Sequence, residues 1–127
     1  MEDTPPKIKI LIADDILTIR KLLSMVLMKQ GYEVIEAVDG EETLLKFEQE
    51  RPNLILLDIM MPKMFGWDVL QQIKKEHPST KVIVMTAVYK KSSYRRQTIH
   101  EYGADEFITK PFKIPEVLAL VEKILNE

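Results

Sequence analysis

Five side chains able to handle metal ions and phosphoryl groups stand at the carboxyl ends of apolar runs: Asp14 and Asp15 after IKILIA, Asp58 after LILL, Thr86 after VIVM and Lys110 after EFIT. A charge at the end of a buried run is unfavourable unless water, a cation or a partner receives it. Singly, these residues have plainer readings: an Asp after a strand is commonly a turn residue, Thr86 an ordinary strand residue, Lys110 a solvated charge. Together they form a coherent set. Carboxylates sharing one crevice would raise each other's pKa values unless a cation sat among them. Oxygen-only ligands, with no His or Cys, favour a hard divalent ion such as Mg2+ that keeps part of its water. Mg2+ in turn implies phosphate. A carboxylate can attack phosphorus to give an aspartyl phosphate while a metal and the Lys110 ammonium neutralise the equatorial oxygens; the Thr86 hydroxyl can bond one of them.

That chemistry requires elements that bring the five residues together. Strand-like runs are expected at Ile8 to Ala13, Glu33 to Ala37, Leu54 to Leu57, Val82 to Met85 and Glu106 to Thr109. Stretches of helical period lie between and after them. In the first, Ile19, Leu23, Val26, Leu27 and Gln30 line one face, and Gly31 stands where a helix C-cap falls. Others run from about Glu41 to Glu50, Trp67 to Glu76, Ser92 to Tyr102 and Ile114 to Asn126. ILIA, LILL and VIVM lack polar alternation, the pattern of strands covered on both faces. Five successive βα units with right-handed crossovers imply a doubly wound α/β domain around a five-stranded parallel sheet. In such sheets ligands bind beyond the carboxyl ends of the strands. With strand order 2-1-3-4-5, strands one and three are neighbours, so the three aspartates converge and Thr86 and Lys110 approach from the other side.

Composition narrows the function classes. The chain of 127 residues has the size of one domain, with residues 1–6, which include Pro5 and Pro6, as a flexible leader and 7–127 as the folded unit. Its 18 basic and 20 acidic side chains nearly cancel, which argues against nucleic-acid binding through this domain. With no cysteine, disulfides and thiolate metal sites are excluded. No apolar run reaches membrane-spanning length and MEDTPPK is unlike a signal peptide, so no membrane association and a cytoplasmic location are expected.

The order of an acidic pair, a strand-terminal Asp, a strand-terminal Thr and a Lys-Pro resembles the receiver domain of two-component response regulators, from IKILIADD through LILLDIMMP and VIVMTA to FITKPF. The resemblance implies a flavodoxin-like (βα)5 fold with Asp58 as phosphoacceptor. It implies Mg2+ held by Asp15, Asp58 and the Met60 backbone carbonyl, with Asp14 acting mainly through water. It makes Thr86, Phe107 and Lys110 the switching residues, and Lys110–Pro111 a cis bond. The implied partners are a histidine kinase or histidine phosphotransfer protein as donor and a downstream effector protein or domain, with a homodimer also open.

In such a family the first helix receives the donor's histidine-bearing helices. The wheel fixed by Ile19, Leu23 and Val26 places Leu17, Met25 and Met28 outward, as contact candidates. Lys90, Lys91, Arg95 and Arg96 form a short basic run read as a solvated face. His77 and His100 suggest no metal site. Met60 and Val88, each two residues past a site residue, are apolar here, where fast-hydrolysing relatives carry an amide or acid. Slow self-dephosphorylation is therefore expected. A phosphatase with an aspartyl-phosphate intermediate is disfavoured because Met60 stands where its general acid would be. A flavodoxin-type cofactor module is disfavoured because ADDILT offers no phosphate cradle. A degenerate receiver serving only as an interaction module is disfavoured by the intact Asp58, Thr86 and Lys110 set.

Overall fold

The computed structural model describes residues 6–86 and 101–127. Its elements are β1 (Lys9–Ala13), α1 (Leu17–Lys29), β2 (Glu33–Ala37), α2 (Gly40–Glu50), β3 (Leu54–Asp58), α3 (Gly66–Glu76), β4 (Lys81–Thr86), β5 (Glu106–Thr109) and a last helix (Ile114–Leu125). The five strands form one parallel sheet in the order β2-β1-β3-β4-β5, as expected. Of the helix expected from Ser92 to Tyr102, residues 101 and 102 are described and are helical. The remainder, with Val88, Lys90, Lys91, Arg95, Arg96 and His100, lies outside the described residues, as does most of the expected leader.

Each strand alternates its side chains between two cores. Leu11, Ile55, Leu57, Val82, Val84 and Phe107 pack with Phe47 of α2 and Val69, Leu70 and Ile73 of α3. Ile10, Ile12, Leu54, Leu56, Ile83, Met85 and Ile108 pack with Leu23 and Leu27 of α1 and Val117, Val121 and Ile124 of the last helix. This double burial explains why the central strands carry no polar alternation.

Local chemistry sets the element ends. Asp39 caps α2 by accepting the Glu42 amide at 2.8 Å, and the Glu42 carboxylate reaches back to the Val38 amide at 2.8 Å, a reciprocal N-terminal arrangement. Gly31 follows α1 at φ +96°, a left-handed conformation that favours glycine. Two expectations shift. The buried face of α1 is centred on Arg20, Leu23, Ser24 and Leu27, while Gln30 is the exposed C-cap, because Arg20 finds polar partners inside and the helix has ended by residue 30. Strands β3 and β4 also run one residue further than expected: Asp58 pairs with Met85 and Thr86 with Thr109, making both the last rungs of the sheet.

The chain leaving Asp58 turns back closely on itself. Gly66 donates its amide to Ile59 O at 3.1 Å, and a Cβ added there would lie 2.8 Å from Asp58 O. We expect Gly66→Ala to push this loop off β3 and destabilise the fold by about 1–3 kcal/mol, the usual range for overpacking. Urea unfolding checks this: an unchanged midpoint would mean that the loop relaxes freely.

Candidate functional site

Beyond the carboxyl ends of β1 and β3 the expected carboxylates meet. Asp14, the residue after β1, is fully buried and Asp58 is 4% exposed, while Asp15 faces solvent. One carboxylate oxygen from each of Asp14, Asp15 and Asp58 lies within 4.8 Å of the other two. Lys110, just past β5, extends its ammonium to Asp14 Oδ2 at 2.6 Å and Asp58 Oδ2 at 3.0 Å. Adjacent β1 and β3 supply the acids, and β5, two strands beyond β3, supplies the counter-charge.

The loops fix the remaining oxygens. Asp14 Oδ1 accepts the Ile16 amide at 2.9 Å and Asp58 Oδ1 accepts the Met60 amide at 2.9 Å, so each carboxylate has one oxygen held by its own loop and the other turned to Lys110. Burial pushes the Asp58 carboxyl above its ordinary value, against the Met60 amide and Lys110, with Asp14 adding to the rise. For Lys110, burial alone would lower the pKa, but its bonds to Asp14 and Asp58 outweigh burial and raise it. Three carboxylates and one ammonium leave two negative charges when all are ionised. A hard divalent cation matches that charge and this oxygen-only donor set, so the residues present fit Mg2+.

The other expected residues fall nearby or on adjoining surfaces. Thr86 is fully buried at the end of β4, and its carbonyl accepts the Lys110 amide at 2.8 Å. Phe107 is buried within β5, in register with Val84. The Lys110–Pro111 bond is cis, as the resemblance implied. Met60 is exposed beside Asp58. Leu17, Met25 and Met28 are 58%, 53% and 60% exposed, with Ile16 also open to solvent at the start of the same helix. Val88 lies outside the described residues.

Sequence reasoning missed Arg20 and Glu36. Arg20 Nη1 donates to Asp14 O at 2.9 Å and its Nε to Glu36 Oε1 at 2.9 Å. The available signal was a charged residue in line with Leu23 and Leu27 on an apolar helix face, which requires a buried partner.

Residues 10–122 match the family model described as the response regulator receiver domain. The chain is 43% identical over 120 residues to the "Probable transcriptional regulator ycf27" of Cyanophora paradoxa, covering 94% of this chain and 49% of that protein. It is 43% identical over 118 residues to the alkaline phosphatase synthesis transcriptional regulatory protein PhoP of Bacillus subtilis, covering 93% of this chain and 48% of that protein. The chain thus spans about half the length of these relatives. A CheY-like response regulator receiver domain protein from Methanospirillum hungatei superposes with a TM-score of 0.87 at 32% identity, over 95% of each chain.

The shifted groups make stability depend on pH. A raised Asp58 pKa means that the native state holds that proton more tightly than the unfolded chain, so stability falls as pH rises from the ordinary 3.8 through the native value. Lys110 contributes stability that is complete below its ordinary 10.5 and lost as pH rises through its higher native value. At neutral pH without divalent ions, Asp58→Asn is therefore expected to raise the urea midpoint, and the gain should shrink as pH approaches 3.8. Denaturation at several pH values checks this; a loss of stability at neutral pH would show that the Lys110 pairing outweighs burial.

Proposed function

The chain belongs to the response regulator receiver domain family, and from that premise we propose that it is a phosphoacceptor switch whose Asp58 takes a phosphoryl group from the phosphohistidine of a histidine kinase or phosphotransfer protein. The observation that carries this reading is the Lys110 ammonium lying between Asp14 and Asp58, with Asp15 in the same cluster. In the transfer, Asp58 Oδ2, the oxygen turned to Lys110, attacks phosphorus and the phosphorus–nitrogen bond to the donor imidazole breaks. The imidazole leaves with the bond's electron pair and is protonated from solvent or its own protein. Lys110 stabilises charge on the phosphoryl oxygens, and the Thr86 hydroxyl bonds one of them. Asp15, Asp58 and the Met60 carbonyl are the proposed Mg2+ ligands, with Asp14 as an outer partner. The metal's contribution is to screen the carboxylates from the incoming phosphoryl group and neutralise its oxygens.

The exposed apolar strip of Leu17, Met25 and Met28 on α1 begins beside this cluster and is proposed as the donor's contact surface. Phosphorylation then biases an existing conformational equilibrium through Thr86, Lys110 and Phe107, changing the surface that a downstream effector, or a second copy of the chain, recognises. Two relatives are named as transcriptional regulators, so we assign the effector role to transcriptional control, with nucleic-acid contact outside this domain and a cytoplasmic location. The product is a conformation, and the domain assists its own phosphorylation and slow dephosphorylation without turning over a separate substrate.

Incubation with acetyl phosphate and Mg2+ is expected to add one phosphoryl group to the native chain and none to Asp58→Asn, read by intact mass. An adduct on the variant, or none on the native chain, would end this reading. The exposed Met60 places no polar group beside Asp58 to orient an attacking water, and Val88 is apolar as well. Met60→Asn combined with Val88→Glu should shorten the phosphorylated lifetime several-fold in Mg2+ buffer; an unchanged decay would remove the explanation for slow hydrolysis.

A further inference from the structure

The β1–α1 junction carries two of the three clustered carboxylates, yet helix capping does little to hold it. The N-cap of α1 is Ile16, with no side-chain capping bond, and the first turn contains no acidic residue. Three other bonds converge on Asp14. Its Oδ1 accepts the Ile16 amide, its own amide donates to Ala37 O at 3.1 Å, and its backbone carbonyl accepts from Arg20 Nη1 at 2.9 Å. Arg20 is a buried guanidinium on the core face of α1, and its Nε is fixed to Glu36 Oε1 of β2 at 2.9 Å. Lys21 Nζ holds the other Glu36 oxygen at 3.0 Å.

The Asp14 carbonyl belongs to the peptide plane that leads into Asp15. Fixing that plane fixes where the Asp15 amide and Cα stand, the point from which its side chain departs. This matters because Asp15 is exposed. We propose that Arg20 is a positioning residue for the metal site: gripping the Asp14 carbonyl from α1 while anchored to Glu36, it keeps the Asp15 carboxylate beside Asp58. Burial alone would raise the Glu36 carboxyl, but the bonds from Lys21 and Arg20 help hold it below its ordinary value, which keeps the clamp ionised. Groups that orient metal-binding residues commonly change metal affinity without touching the ion.

This inference rests on the reading that Asp15 and Asp58 take Mg2+, and calorimetric Mg2+ titration separates the two. The variants are Arg20→Lys, which keeps the charge and loses the fork; Glu36→Gln, which weakens the anchor; and Lys74→Met, which removes a largely buried ion pair elsewhere, to Asp105 at 2.7 Å. Mg2+ affinity is expected to fall about tenfold or more in Arg20→Lys, to fall several-fold in Glu36→Gln, and to hold in Lys74→Met. Raising Mg2+ to saturation should return Arg20→Lys to the native rate of phosphorylation by acetyl phosphate, since the nucleophile and Lys110 are intact. Native affinity in Arg20→Lys, or in Glu36→Gln if the first variant fails to fold, overturns the proposal. Equal losses in Arg20→Lys and Lys74→Met would reduce Arg20 to a stability role and overturn it too. A native chain that binds no Mg2+ would instead defeat the metal reading itself, and this inference with it.

Discussion

The Lys110 ammonium, shared between Asp14 and Asp58, is the constraint on which the site depends. Two carboxylates at the rim of adjacent strands, both shielded from water, would repel each other. One buried cation between them removes much of that penalty, and it can reach them because β5 runs one rung past the end of β3 before Lys110 turns back toward the acids. The register sets the spacing: Ala13 is opposite Leu57, Asp58 opposite Met85, and Thr86 opposite Thr109, so Asp14 stands level with Asp58, Thr86 one residue further along and Lys110 two. A one-residue slip at any of these pairings would turn the alternating side chains to the wrong face. The same hydrophobic alternation that builds the two cores therefore aligns the charges.

Alternation also separates the site's components. Asp14, Asp58 and Lys110 continue the parity of Ile12, Leu56 and Ile108, which face α1 and the last helix, whereas Thr86 and Phe107 continue the parity of Val84, which faces α2 and α3. The acids and their cation thus lean toward the helix bearing the exposed Leu17, Met25 and Met28. Thr86 and Phe107 lean toward the opposite layer. At the far end of the sheet, Lys74 binds Asp105 at 2.7 Å while the same Asp105 oxygen accepts the Val82 amide at 2.8 Å, tying α3 to β4 and to the residue preceding β5. The carboxyl-end rim is thereby built on strands anchored at their other ends.

Most of this architecture was legible because its causes are local or periodic. The central strands announced themselves through unbroken apolar runs, Gly31 through the need for a left-handed residue after α1, and the aspartate cluster through carboxylates following strands one and three. Less was legible where a long-range polar contact decides. The rotation of α1 is set by Arg20 meeting Asp14 O and Glu36, a match between a helix and an edge strand that hydrophobic periodicity does not encode. The extension of β3 and β4 through Asp58 and Thr86 escaped for a related reason: polar residues read as loop, yet here ladder pairing carries them to the final rung. The tight return at Gly66 likewise depends on which backbone lies across from it, and no pattern in MPKMFGWD states that.

On the proposed reading, the economy of the site becomes its switching device. Each carboxylate offers Lys110 one oxygen, because Met60 and Ile16 hold the others, so phosphorylation of Asp58 leaves the ammonium no unperturbed partner on that side. The 3.0 Å contact with Asp58 Oδ2 must be exchanged for a phosphoryl oxygen, while fully buried Asp14 holds the ammonium from the other direction at 2.6 Å. The Lys110 backbone is tied to the end of β4. Its amide is bonded to Thr86 O, and Thr109, immediately before it, is the register partner of Thr86, so the residue bearing the ammonium is continuous with the joined ends of β4 and β5. On that reading the ammonium, the strand end that carries Thr86 and, two residues back from Thr109 on β5, Phe107 form one connected path along which the proposed switch would act.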